Sequence, residues 1–161
     1  MQGLLRQQST AGGEAGSPMS PSSAMRALRS ACRVDGVITL FYYDDVEAAT
    51  QWYENVIGFE KLLDHGWLAI FRLRDHAYLG LVSGSAGSQK PLDGPNKGVL
   101  VTIATSDLEG WHARLFERGV DGTGEGLQIG GEGLTIEFKV RDPGGYTLEF
   151  FEWLETPPGM R

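Results

Sequence analysis

Apolar positions recur along this chain at two alternating periods. Val37 to Tyr43 (VITLFYY) is a run of β-branched and aromatic residues, which predicts a strand. Asp44-Asp45 follows as a helix cap. Val46, Ala49, Trp52, Tyr53 and Val56 then recur at helical spacing, which predicts a helix over Val46 to Ile57 closed by Gly58. Three short strands are predicted next, at about Glu60–Asp64, Trp67–Arg74 and Ala77–Ser83. Their links, His65-Gly66 and Asp75-His76, are short enough for hairpins.

The pattern restarts after 84–97 (GSAGSQKPLDGPNK), a linker rich in Gly, Pro, Ser and Lys. Gly98 to Thr105 reads as a strand, Ser106-Asp107 as a cap, Leu108 to Arg118 as a helix and Gly119 as its end. A weak strand lies in the glycine-rich stretch Val120 to Gly133, and Leu134–Arg141 and Tyr146–Trp153 close the unit. Placing Asp45 on Asp107 overlays strand on strand and helix on helix, a repeat of pattern more than of residues. The fold class is therefore α+β: two tandem βαβββ modules, 36–83 and 98–154, forming a curved mixed sheet around a concave cavity. Residues 1–35 read as a disordered tail carrying a short helix at Ala24 to Cys32, and 155–161 as a C-terminal tail. Met19 or Met25 would serve equally as the natural start.

Composition narrows the function classes. The net charge of −7, with basic residues scattered, argues against nucleic acid or an anionic membrane as partner. The single cysteine, Cys32, excludes an intrachain disulfide and a multi-cysteine metal site, and fits a cytoplasmic protein. No apolar run approaches the roughly 20 residues that span a bilayer.

Three segments carry a resemblance: YDDVEAATQWYENVIGFE, SDLEGWHARLFERGV and VRDPGGYTLEFFEW. In this order they resemble the vicinal oxygen chelate superfamily, which includes glyoxalase I, bleomycin resistance proteins, fosfomycin resistance proteins and extradiol dioxygenases. The resemblance covers roughly residues 36 to 154. It implies a fold, and this fold hosts several activities. Members that bind a metal take His or Gln, Glu, His and Glu from the first and last strands of each module. Carried over one by one, those positions are Ile38, Gly80 (Leu79 if shifted), Leu100 (Val101 if shifted) and Glu149. Only Glu149 is a donor. His65 and His76 fall in turns and His112 in the second helix, where all three read as exposed polar residues. The expectation is no family-type metal centre and no cofactor.

Strand alternation assigns the faces. Ile136, Phe138 and Val140, with Tyr146, Leu148 and Phe150, should pack under the helices. Thr135, Glu137, Lys139 and Arg141, with Thr147, Glu149 and Phe151, should line the concave side, together with Leu68, Ile70 and Arg72. The first strand offers Ile38, Leu40 and Tyr42. The expected ligand-binding set is Ile38, Leu40, Tyr42, Trp67, Ile70, Arg72, Tyr78, Leu100, Lys139, Glu149 and Phe151. Tyr42, Trp67, Tyr78, Phe151 and Trp153 are candidates for stacking on a ligand, whereas Trp52 and Trp111 belong to the core. Glu149 has two readings. One is a structural carboxylate paired with Lys139 or Arg72. The other is a binder of a cationic group, or a catalytic acid/base with a raised pKa.

The sequence thus favours a small-molecule binding protein of the bleomycin resistance type, taking a planar or cationic ligand. Two alternatives stay open. One is a glyoxalase-like, isomerase or lyase enzyme using Glu149 or a relocated metal. The other is a structural or regulatory module with a filled cavity. Exposed sheet edges need covering, and the resemblance implies that this is done by a homodimer.

Overall fold

The computed structural model describes residues 20–22 and 33–160 of the chain. The helix expected over Ala24–Cys32 lies outside the described residues, as does most of the N-terminal tail.

The first module begins with β1 (Val37–Tyr43). It turns into α1 (Val46–Trp52), whose cap is Asp45, accepting a hydrogen bond from Ala48 N at 2.9 Å. The helical periodicity reads through to Ile57, but the structure widens there. Tyr53–Ile57 forms a π turn, and the amides of Gly58 and Phe59 both donate to Tyr53 O. The wider turn brings Tyr53 and Ile57 onto one face, and both are fully buried. Gly58 ends it in the left-handed region at φ 86°. β2 (Glu60–Asp64), β3 (Leu68–Arg74) and β4 (Ala77–Ser83) follow. They complete a four-stranded sheet in the order β1-β4-β3-β2, with β1 parallel to β4 and the other pairs antiparallel. The helix supplies the crossover that a parallel pair requires.

The second module repeats this plan with β5 (Leu100–Ala104), α2 (Leu108–Glu117), β6 (Gln128–Gly130), β7 (Thr135–Arg141) and β8 (Thr147–Trp153). Its sheet runs β5-β8-β7-β6, with β5 parallel to β8. The weak strand expected in the glycine-rich stretch is the three-residue β6. Two tandem βαβββ units with mixed sheets are therefore present, and both sheets are open.

The alternation expected from the sequence holds. Phe41, Tyr43, Ala69, Phe71, Leu79 and Leu81 point to the helix side of the first sheet, and Phe138, Val140, Tyr146, Leu148 and Phe150 to the helix side of the second. All of them join one core. Across the module boundary the rings of Phe41 and Tyr146 stack at 4.0 Å, Phe59 meets Trp111 edge-on at 6.2 Å, and Arg114 donates to Ile57 O at 2.7 Å. The helix-side faces thus share one interior, and the opposite faces look outward.

The hairpin between β7 and β8 ties this arrangement together. Asp142 is buried and its carboxylate accepts four hydrogen bonds. Two come from within the turn, from Gly144 N at 2.9 Å and Tyr146 N at 2.8 Å. Two come from the other module, from Tyr53 Oη at 2.9 Å and from Tyr43 Oη. Gly145 takes φ 85°, and a Cβ there would lie 2.8 Å from Gly94 O, so the linker backbone closes directly over the turn.

Candidate functional site

The outward face of the first sheet is formed by Ile38, Leu40 and Tyr42 on β1, Tyr78, Gly80 and Val82 on β4, and Leu68, Ile70 and Arg72 on β3. It is mostly apolar, and much of it is open: Ile38 is 50% exposed and Leu40 45%. Arg72, the one cation in this set, pairs with Glu60 of β2 at 2.8 Å. Trp67 precedes β3 in the turn and is 49% exposed. Strand alternation puts it out of phase with Leu68 and Ile70, so it stands beside this wall.

The outward face of the second sheet carries Leu100 and Thr102 on β5, Glu149 and Phe151 on β8, and Glu137 and Lys139 on β7. Its charges form a closed set. Lys139 Nζ lies 2.6 Å from Glu137 Oε1 and 3.0 Å from Glu149 Oε2, and Thr135 Oγ1 donates to Glu137 Oε2 at 2.7 Å. Both carboxylates are largely covered, with side-chain exposures of 13% and 12%. Glu149 therefore sits with Lys139, and Arg72 belongs to the other sheet. Lys139, then Thr135, holds the Glu137 carboxyl below its ordinary 4.5. A lowered folded-state pKa stabilises the fold above the unfolded value, and that contribution is lost as pH falls from 4.5 downward. Lys139→Met leaves two half-buried carboxylates facing each other. We expect it to cost about 1–2 kcal/mol at pH 7, discounted for the exposure of the lysine. The loss should shrink toward pH 4, as the Glu137 contribution is lost. Urea melts of both proteins at the two pH values check this, and a pH-independent loss would contradict it.

The expected ligand-binding residues thus divide into two groups, one on each sheet. Ile38, Leu40, Tyr42, Ile70, Arg72 and Tyr78 lie on one sheet, and Leu100, Lys139, Glu149 and Phe151 on the other. At the β1 edge the Tyr146 hydroxyl accepts from Tyr42 N at 3.0 Å and donates to Tyr42 O at 3.1 Å. That pair of bonds caps the outer rim of β1, and β5 lies in the other sheet. Phe151 is itself buried, edge-on to Trp153 at 4.9 Å. Tyr42 lines a cleft of about 400 Å³ between the linker and the β7–β8 turn, with its hydroxyl 3.3 Å from Ser88 Oγ.

The residues at the four transferred metal positions do not fit a metal. Gly80 faces Leu40 and Ile38, and a Cβ built at Gly80 would lie 2.5 Å from Leu40 Cδ2. Hydrocarbon already fills the space that a ligating side chain at this position would take. Leu100 offers no donor, and Glu149 is committed to Lys139. Among the described residues, no group of three or more His, Cys, Asp and Glu stands together.

His65 and His76 are exposed turn residues, as the sequence indicates. His112 differs from expectation. It is half-buried, edge-on to Phe138 at 5.1 Å, and its Nε2–H donates to Thr123 O at 2.9 Å. Helical spacing from Leu108 and Leu115 placed it beside the buried face, so its packing was readable from the pattern. A set the sequence did not single out is a cavity of about 530 Å³ at the ends of β3, β5 and β8, where Arg74 meets Thr105, Ser106 and Trp153. Nothing in the sequence pattern joins Arg74 to the second module.

A family model described as Glyoxalase/Bleomycin resistance protein/Dioxygenase superfamily matches residues 37–150. No curated protein matches the chain. Solved structures with the same fold include a glyoxalase/bleomycin resistance protein/dioxygenase from Nocardioides, at 19% identity and TM-score 0.65, covering 84% of this chain and 95% of that one. TioX from Micromonospora sp. ML1 aligns at 21% identity and TM-score 0.61, over 75% of this chain and 100% of its own. Lactoylglutathione lyase from Agrobacterium tumefaciens aligns at 23% identity and TM-score 0.57, over 72% and 91%.

Proposed function

The chain belongs to the Glyoxalase/Bleomycin resistance protein/Dioxygenase superfamily, and on that premise we propose that it is a small-molecule binding protein that works without the metal centre of its catalytic relatives. One observation carries the reading. The outward sheet faces pair off their own charges, Arg72 with Glu60 and Lys139 with Glu137 and Glu149, and leave Ile38, Leu40, Tyr42, Tyr78 and Leu100 to meet a ligand. An apolar wall with aromatic rings and few free charges takes a flat organic molecule. The net charge of −7 favours a cationic one.

Each face alone is open to water, which supports a homodimer. The backbone groups of Ile38 and Leu40 point along the same outer rim of β1 as those of Tyr42, two and four residues away, and the Tyr146 bonds cap the rim at Tyr42. An unpaired apolar edge of this kind needs a partner strand. A second copy bringing its β5 to that edge would set Leu100 and Glu149 opposite Leu40 and Tyr78, and would turn two half-walls into one cleft. Among the described residues no helix is long and apolar enough to cross a membrane, and a cytoplasmic location completes the proposal.

The test is a thermal-shift series with planar aromatic cations, using ethidium as the first probe, beside zinc, manganese and magnesium. The proposal expects a saturable rise in melting temperature with the organic probe and none with the metals. A rise with a metal that Glu149→Gln removes would instead favour an enzyme built around Glu149. No rise with any probe would favour a structural or regulatory module.

A further inference from the structure

We propose that the cavity at the ends of β3, β5 and β8 is a second site, specific for a small monocarboxylate with a flat apolar body. It measures about 530 Å³ and is lined by Arg74, Thr105, Ser106, Phe151, Trp153 and Met160, among others. That volume falls within the usual range for small-molecule sites, about 300–1,000 Å³.

Arg74 is the reason to expect an anion. Every other lysine and arginine among the described residues has a partner. Arg33, Lys61, Arg72, Lys139 and Arg141 pair with carboxylates, and Lys90, Lys97, Arg114 and Arg118 donate to backbone carbonyls. Arg74 alone among them has no hydrogen bond or ion pair, and it lines the cavity. A guanidinium fork matches the two oxygens of a carboxylate. The opposite wall supplies more donors. Thr105 Oγ1 accepts from Asp107 N at 3.0 Å, so its own hydroxyl hydrogen is left to donate outward, next to the Ser106 hydroxyl.

The rest of the lining fixes the ligand's body and its charge. Phe151 and Trp153 meet edge-on with centroids 4.9 Å apart, and with Met160 and Ala104 they make a floor on which a flat ring would lie. Glu152 also borders the cavity, although strand alternation turns its side chain away from Phe151 and Trp153. A carboxylate at the border of the cavity disfavours dianions, which selects a monocarboxylate over a phosphate ester. This site lies apart from the β1 face of the proposed function and stands or falls separately from it.

The experiment is a titration of the full chain with benzoate, phenyl phosphate and benzylamine, followed by amide and indole chemical shifts. Benzoate should saturate with Kd on the order of 1 mM, as expected for so small a ligand. The largest shifts should fall on Thr105, Ser106 and the Trp153 indole. Arg74→Gln, at an exposed position, should keep the wild-type melting temperature and weaken benzoate about tenfold, and Arg74→Lys should recover part of that loss. Glu152→Gln should strengthen phenyl phosphate. Leu40→Asp, on the other face, should leave benzoate unchanged. The proposal is overturned if benzoate fails to saturate by about 10 mM, a level roughly tenfold above that Kd. It is equally overturned if Arg74→Gln binds benzoate as well as wild type, or if phenyl phosphate or benzylamine binds wild type as tightly as benzoate.

Discussion

Asp142→Ala lowers the free energy of unfolding by about 4 kcal/mol, from the cost of leaving several buried donors without an acceptor. Asp142 is 5% exposed and receives Tyr43 Oη, Tyr53 Oη, Gly144 N and Tyr146 N. The two tyrosines are buried, and burial pushes both hydroxyls far above their ordinary range, so both remain protonated donors. Alanine leaves the buried donors Tyr53 Oη and Tyr146 N without their acceptor, and Tyr43 Oη with only the long bond to Tyr53 Oη at 3.5 Å. It also removes the link from Tyr43 and Tyr53 to the β7–β8 turn, because among the described residues no other carboxylate bonds to either hydroxyl. Asp142→Asn keeps one acceptor oxygen and should cost about half as much. The pair also has a defined pH signature. Burial pushes the Asp142 carboxyl above its ordinary 3.8, against the pull of its four donors. A raised folded-state pKa contributes stability below the unfolded value, and that contribution is lost as pH rises through the folded value. The stability gap between wild type and Asp142→Asn should therefore narrow as pH is raised from 3.8 upward. Urea melts across that window measure it, and a gap that widens would contradict the assignment.

Leu40→Asp removes ligand binding while the fold survives. Leu40 is 45% exposed, so a carboxylate there stays hydrated, and the cost to the monomer is about 1 kcal/mol, chiefly from uncovering Gly80. On the proposed face the effect is larger. Leu40 sits between Ile38, Tyr42 and Gly80, at the middle of the apolar wall and on the outer edge of its sheet. A charge placed there must be desolvated by a flat ligand or by a second copy, so affinity should fall by at least tenfold, about 1.4 kcal/mol or more. Titration with ethidium, and sedimentation for the oligomeric state, read the two consequences independently. Unchanged affinity would move the site away from β1.

Much of the architecture could be read from local chemistry. The strand faces followed from alternation because each sheet buries one side only, so Phe138 and Phe150 went inward while Lys139 and Glu149 went outward. The break between the last two strands was marked by Pro143-Gly144-Gly145. The way the modules meet was not readable, because it depends on contacts separated by about a hundred residues, such as Tyr42 with Tyr146. Contacts of this kind place β1 and β5 in different sheets, and with them Ile38 and Leu100. The π turn at Tyr53 was hidden for a related reason. Helical spacing fits both windings, and the burial of Tyr53 and Ile57 selects the wider one.

The most direct test of metal-free binding is an isothermal titration of ethidium into the full-length protein in excess EDTA, followed by recovery and analysis of the ligand. The account predicts one saturable site per chain, unchanged by the chelator, with the ligand recovered intact. Binding that disappears in EDTA and returns with a divalent metal would contradict it.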